Sequence, residues 1–432
     1  MAGRRVGAVD AMWLRADRPE NLMVVDALLW TARPVTLEAV RDLVRDRLLV
    51  HPVLTERAVD PGGLRSPRWV ADPAFDLRRH VVAEPLPAPA GDTELRHLVE
   101  RRMSVPLPRD RPLWELRVVP EHDGGSAVLF RAHHAVADGL ALAQVLVELT
   151  DPPPEPPRPV AEPPVPSGRR RRDAPAGTIE QLRSLPRLAL GTARVADKLL
   201  LGHDPVSQLS GPPHPERRAA WSAPVPLDDV RAVAHAVGAT VNDVLLCCVA
   251  GAVSRLLSAG GEPVADLTTM VPVDVRPPGP LPLELGNRFA LVLLRLPTWQ
   301  PDDLVRLLET KDRMDRIKVS PEAALTFGLI RGIGRLHPRL GRLVVDFFAG
   351  KAFGVTTDVI GPREPRLLVG ERLSGVMGWV PGSGSHTVGA SVVSYAGEVR
   401  VGFRTDAATV PDPTVLVRGV QACLVELQRR TR

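Results

Sequence analysis

Between residues 151 and 167 the chain is dominated by proline, and a four-arginine run at residues 169–172 follows directly. Proline fixes φ and offers no backbone N–H, so neither a helix interior nor a central strand can pass through this stretch. Whatever core the chain builds must therefore be divided, and the stretch reads as a domain linker. The length of 432 residues points the same way, because one ordinary hydrophobic core does not grow that large. The expected units are 1–150, a Pro/Arg-rich linker with amphipathic helical pieces at 151–218, and 219–432.

Composition narrows the function classes. With 44% hydrophobic and 24% charged residues the chain is globular, and basic residues exceed acidic ones by five, which suits anionic partners or a solvated basic surface. Cys247, Cys248 and Cys423 offer neither metal-ligand spacing nor a disulfide framework, so a reducing cytoplasm is expected and no metal. Asp10, Arg15 and Asp17 interrupt any leader-like apolar core near the N-terminus. The longest apolar run, residues 244–253, is too short for a bilayer, so membrane contact is expected to be peripheral, with the arginine run as a candidate surface. There is no phosphate-binding loop, dinucleotide fingerprint or zinc spacing, and no nucleic-acid partner is expected.

The first unit converges on Arg131-Ala132-His133-His134-Ala135-Val136-Ala137-Asp138-Gly139. Ser126-Ala127-Val128-Leu129-Phe130 before it reads as a buried strand, while Leu142, Val145, Leu146 and Leu149 after it recur at helical spacing. Upstream, His122-Asp123-Gly124-Gly125 suits a hairpin turn. The paired histidines thus stand where a strand ends, and imidazole is the side chain whose ordinary pKa suits proton transfer near neutrality. Asp138-Gly139 suits a tight turn, with Asp138 holding the turn and the histidine geometry.

The second unit restarts with an echo of the first. Pro224-Val225-Pro226-Leu227-Asp228-Asp229-Val230-Arg231 parallels Pro34-Val35-Thr36-Leu37-Glu38-Ala39-Val40-Arg41, which implies two similar α/β lobes with a site between them. Thr240 caps an apolar helix whose first turn holds Asn242 and Asp243. Helix initiation accounts for Asp243; the Asn242 amide could also donate into a site. Helical segments are expected over residues 302–317 and 321–348, a strand-rich part over 354–405, and a last helix over 413–429.

His-His-x-x-x-Asp-Gly, as it stands from His133 to Gly139, resembles the signature of the coenzyme-A-dependent acyltransferase superfamily. Asp10-Ala11-Met12, Pro112-Leu113-Trp114-Glu115, Asn242-Asp243-Val244, Pro272-Val273, Gly286-Asn287, Gly361-Pro362 and Ser394-Tyr395-Ala396-Gly397 extend the resemblance to the bacterial wax ester synthase / diacylglycerol acyltransferase family over nearly the whole chain. One departure stands out: where that family often carries Asn before Gly-Pro, this chain has Asp358.

The resemblance implies two linked, chloramphenicol-acetyltransferase-like α/β lobes with the active site at their interface. It also implies transfer of a long-chain acyl group from acyl-coenzyme A, a substrate and not a bound cofactor, to diacylglycerol or a long-chain alcohol. His134 is then the general base, with His133, Asp138 and Gly139 completing the motif and Asn242 and Asp243 as oxyanion or substrate-positioning residues. A cytoplasmic enzyme is expected, in possible contact with the inner membrane or a lipid droplet. A condensation-type enzyme with a non-lipid acceptor and a non-catalytic lipid-surface protein of the same fold are the alternatives.

Overall fold

In the computed structural model, residues 3–63, 65–153, 195, 198, 202, 204–262, 264–275 and 284–432 are described. The arginine run and most of the expected linker lie outside them. The first lobe opens with α1 (Ala8–Ala16) and β1 (Val24–Thr31). Every residue of β1 is buried, as a strand covered on both faces must be. Val25, Ala27 and Leu29 pack with α2 (Leu37–Arg47) and α4 (Gly139–Glu148), whereas Leu28 and Trp30 face α3 (Asp92–Met103).

Local signals set most of these boundaries. Thr36 caps α2 by accepting from the Ala39 N–H at 3.3 Å, which satisfies one of the helix's otherwise unpaired donors. Between the short strand β2 (Val81–Ala83) and the motif, β3 (Trp114–His122) and β4 (Gly125–His133) form the expected hairpin. Asp123 and Gly124 at its turn have φ of 46° and 79°, a pair of positive values that fits the twist of the flanking strands.

The second lobe runs through β5 (Arg217–Trp221), α5 (Leu227–Ala236), α6 (Val241–Ala259), β6 (Leu267–Asp274), β7 (Phe289–Leu296) and α7 (Asp303–Lys318). Where one helical segment was expected over residues 321–348 there are two, α8 (Glu322–Ile333) and α9 (Pro338–Ala349). Gly334 ends the first, and Pro338 can only begin the second. Then come β8 (Gly354–Ile360), β9 (Leu367–Leu368), β10 (Glu371–Trp379), β11 (Val388–Tyr395), β12 (Glu398–Asp406) and α10 (Thr414–Thr431).

The α6 helix is longer than the apolar run suggested, and by length and composition alone its nineteen residues could cross a membrane. Most of it is buried inside the lobe, sharing one core with Leu416, Val420 and Leu424 of α10 and Leu307 of α7. A helix apolar on all sides is the expected sequence of such a core element.

The lobes are not contiguous along the chain. The first sheet has the order β9-β10-β1-β4-β3-β2, so two strands from the second half complete it. β10 pairs antiparallel with β1, joining Met377 to Leu28 and Trp379 to Asp26. The seven-stranded second sheet, β7-β6-β8-β11-β12-β5 with residues 225–226 paired to β12, has β8 parallel to β6 and β11. The division of the chain at residues 150 and 219 therefore does not describe the lobes in space: without β10 the core strand β1 would be left with an open edge. Met377 and Trp379 press against Gly402 of β12, where an added Cβ would lie 2.4 Å from the Met377 methyl carbon. That missing side chain lets the two sheets approach.

Candidate active site

The motif lies where β4 leaves the first sheet. The His134 N–H donates to the Met23 carbonyl (2.7 Å) and the His133 N–H to that of Leu113 (2.9 Å), so both backbones are fixed before the chain turns. Asp138 then caps α4, its Oδ1 accepting from the Ala141 N–H at 2.9 Å. Its Oδ2 accepts from the Arg288 N–H at 2.9 Å, a bond from the first lobe to the loop before β7 in the second. The expected turn-holding role of Asp138 has this as its geometry.

The two histidines do different things. His133 is buried beneath the motif, its Nδ1 accepting from the Ala135 N–H at 3.0 Å and its Nε2 lying 3.7 Å from Asp17. Burial would raise Asp17, but His133, the Met23 N–H and Arg109 outweigh it and hold the carboxyl at about 2. This ring is a structural hub, and it is not on the wall of the cavity described next.

The His134 imidazole does line a cavity of about 130 Å³ between the lobes. It stacks on Trp13 of α1, with centroids 4.7 Å apart, and lies 5.6 Å from the ring of Phe289. Among the described residues its buried Nδ1 has no hydrogen-bond partner, so Nε2 is the nitrogen left to meet the cavity. Burial drives its pKa down to about 4 against the pull of the Asp138 charge, which leaves the ring neutral at physiological pH.

Behind His134 stands a clamp of residues drawn from both lobes. The Asn287 Nδ2 donates to the His134 carbonyl at 2.6 Å and to Asp10 Oδ1 at 2.8 Å, and the Asn287 N–H donates to the same oxygen at 2.9 Å. Burial raises Asp10 to about 6, opposed by those two hydrogen bonds. Asp10 and Asn287 belong to segments that carried the family resemblance, yet neither was assigned to the site. Their only sequence signal was membership of those segments, because 277 positions separate them.

Asn242 and Asp243 stand elsewhere. Asp243 and Thr240 form a reciprocal capping box, the Asp243 N–H donating to Thr240 Oγ1 (3.2 Å) and the Thr240 N–H to Asp243 Oδ2 (2.9 Å). Neither Asn242 nor Asp243 is on the wall of the His134 cavity, which corrects the expectation that they position substrate there. The reason is that α6 is a core helix whose first turn is occupied by its own cap. Gly139, by contrast, does line the cavity, at the first turn of α4.

The remaining walls bring Met270, Pro272 and Leu291 together with Thr357, Asp358 and Ser383. Asp358, the departure from the family pattern, is solvent-exposed at this wall, and desolvation by the surrounding walls raises its carboxyl to about 6. A second cavity of about 160 Å³ shares Gly139, Leu140, Thr357, Val359 and Val380 with the first. It runs between α4 and the β1–β10 face, lined by Ala27, Leu29, Leu142, Leu146 and Met377 among others, so it is overwhelmingly apolar.

Two α/β lobes with a cavity between them are a fold that solved structures of a lipid acyltransferase and of peptide-synthetase condensation domains both match. The fold matches the wax ester synthase/diacylglycerol acyltransferase from Marinobacter aquaeolei VT8 with a TM-score of 0.72, at 22% identity and covering 99% of each chain. It matches the first condensation domain of the calcium-dependent antibiotic synthetase with a TM-score of 0.62, at 16% identity, covering 100% of this chain and 96% of that one.

Sequence divides the two. Residues 6–245 match the wax ester synthase/diacylglycerol acyltransferase catalytic domain, and residues 285–428 match the C-terminal domain of the same family. A putative diacylglycerol O-acyltransferase of Mycobacterium tuberculosis strain H37Rv is 32% identical, covering 99% of this chain and 98% of that protein. A second, named as a probable diacylglycerol O-acyltransferase from the same strain, is 30% identical over 86% of this chain and 84% of its own. The chain belongs to the wax ester synthase/diacylglycerol acyltransferase family and is an acyltransferase.

Proposed function

We propose that the protein transfers a long-chain acyl group from acyl-coenzyme A to the free hydroxyl of diacylglycerol, with His134 as general base. The observation that carries this reading is the placement of His134: a neutral imidazole with one nitrogen open to an interlobe cavity, beside an apolar cavity suited to an acyl chain. The mycobacterial relatives named as diacylglycerol O-acyltransferases support the choice of acceptor.

In this mechanism Nε2 accepts the hydroxyl proton as the acceptor oxygen attacks the thioester carbonyl. The tetrahedral intermediate collapses, the C–S bond breaks, and the departing thiolate takes the proton back from the imidazolium. Ester and free thiol leave, the histidine returns to its neutral form, and no acyl-enzyme is needed. Thr357 and Ser383 supply hydroxyl groups on the cavity wall that can meet the developing oxyanion. Asp138 contributes position and charge, because its carboxylate is committed to the α4 cap and the Arg288 N–H.

The test is transfer of label from radiolabelled palmitoyl-coenzyme A to dioleoylglycerol, hexadecanol and an amine acceptor, each with wild type and His134→Ala. Label in triacylglycerol that depends on His134 is expected. Label in the amide alone would overturn the proposal, and label in the wax ester alone would move the acceptor within the family.

A further inference from the structure

The α9 helix presents an outward stripe that water alone does not explain. Leu340, Leu343 and Phe347, spaced i, i+3 and i+7 on one face, are 50%, 66% and 46% exposed. The opposite face is seated, with Gly341 and Ala349 buried. A run of three large apolar side chains on a surface helix marks an interaction surface.

Charge selects the partner. Arg331, Arg335, Arg339 and Arg342 fall in or beside the α8–α9 turn, and none of them forms an ion pair with a described carboxylate. Arg331 lies over the Phe327 ring, and Arg342 donates to the Arg15 carbonyl. The one acid between residues 323 and 350, Asp346, is already paired with Arg18 at 2.7 Å. An apolar stripe bordered by unneutralised arginines complements an anionic lipid surface, where apolar side chains enter the acyl boundary and guanidinium groups meet headgroup phosphates.

The same helix borders a cavity that adjoins that of His134. Val345 and Phe348 of α9 and Leu329 and Ile330 of α8 line an apolar cavity of about 60 Å³. Trp13, Met270, Leu291 and Ser383 are on the walls of both this cavity and that of His134.

We propose that α9 docks the protein on anionic lipid surfaces, and that a lipid acceptor passes beneath α8 and α9 to His134. The docking step stands on the helix face alone, while the passage rests on the acyltransferase reading above. The arginine run at residues 169–172 is not needed for it.

The experiment is flotation of the full chain with phosphatidylcholine vesicles, with and without phosphatidylglycerol, at low and high salt. Wild type should float with the anionic vesicles and release as salt rises. Leu340→Asp/Leu343→Asp should reduce flotation at least about tenfold while unfolding at the wild-type temperature, since both side chains face solvent. Arg335→Ser/Arg339→Ser should weaken the salt dependence. Transfer to vesicle-borne dioleoylglycerol should fall with the aspartate variant, and transfer to a water-soluble short-chain diacylglycerol should not. Wild-type flotation by the aspartate variant would overturn the docking face, and so would a wild-type dimer that this variant dissociates, which would assign the stripe to a second copy. Normal flotation behaviour with no transfer to either diacylglycerol would sink the acceptor assignment and leave the docking face standing.

Discussion

Replacing Asn287 by alanine removes a second-lobe side chain that holds both Asp10 and the backbone of the base. Two buried acceptors lose a donor: the His134 carbonyl, held at 2.6 Å, and Asp10 Oδ1, held at 2.8 Å. A buried polar group left unpaired costs about 1–3 kcal/mol. Asp10 keeps the 287 N–H, so its share falls at the low end, and the sum is roughly 2–4 kcal/mol. The loss should also depend on pH. Asp10 sits at about 6, above its unfolded value of 3.8, so its ionisation favours the unfolded chain and stability falls as pH rises through that window. Without the Asn287 side chain Asp10 rises further, and the window extends upward. The gap in unfolding temperature between wild type and Asn287→Ala should therefore be wider at pH 8 than at pH 5. Release of the His134 carbonyl should displace the ring, and a misplacement of about 1 Å costs on the order of a hundredfold in rate. The measurements are thermal unfolding at the two pH values and turnover at saturating acyl-coenzyme A. A variant as stable as wild type at pH 8, with turnover within about threefold, would refute the clamp.

His134→Ala should abolish transfer while the chain stays folded, and residual turnover near wild type in a folded variant would remove His134 as base. The kcat/KM of wild type should fall on the acid side with an apparent pKa of about 4, because the base must be neutral; an inflection near 6.5 would mean an imidazole that burial does not perturb. Asp138→Asn keeps an oxygen for the α4 cap but sets an amide donor against the Arg288 N–H, costing about 1–3 kcal/mol, and should move that inflection lower. A folded Asp138→Asn enzyme that loses more than about a thousandfold in rate would give Asp138 a part in the chemistry. Asn242→Asp should leave turnover near normal, since aspartate suits the first turn of α6; a loss of about a hundredfold in a normally stable variant would return Asn242 to the site.

Much of the site's scaffold was legible because its causes are local. The β3–β4 turn follows from Asp123-Gly124, the α2 and α6 starts from Thr36 and Thr240, and the strand-to-helix passage through His133 and His134 from a change of hydrophobic period closed by the Asp138 cap. Each is settled by residues within about four positions of one another, as a turn or cap requires. The split between α8 and α9 was equally local, written in Gly334 and Pro338, but the apolar pattern running across it read as one helix.

Which histidine meets the cavity, and what holds it there, was decided by contacts the sequence does not index. His133 and His134 are adjacent, but one ring turns into a buried pair with Asp17 and the other toward the lobe interface, a choice made by the Met23 and Leu113 carbonyls. Asn287 reaches His134 and Asp10 only because β10 crosses into the first sheet and the lobes close on each other. Asn242 looked like a site residue for want of that geometry. Sequence by itself determined the elements, the motif and the family, because these rest on short-range backbone chemistry and on residue identity. The tertiary structure alone decided the Asp10–Asn287 clamp, the paired cavities and the exposed face of α9, because hydrogen bonds and burial between segments hundreds of residues apart exist only once the chain has folded.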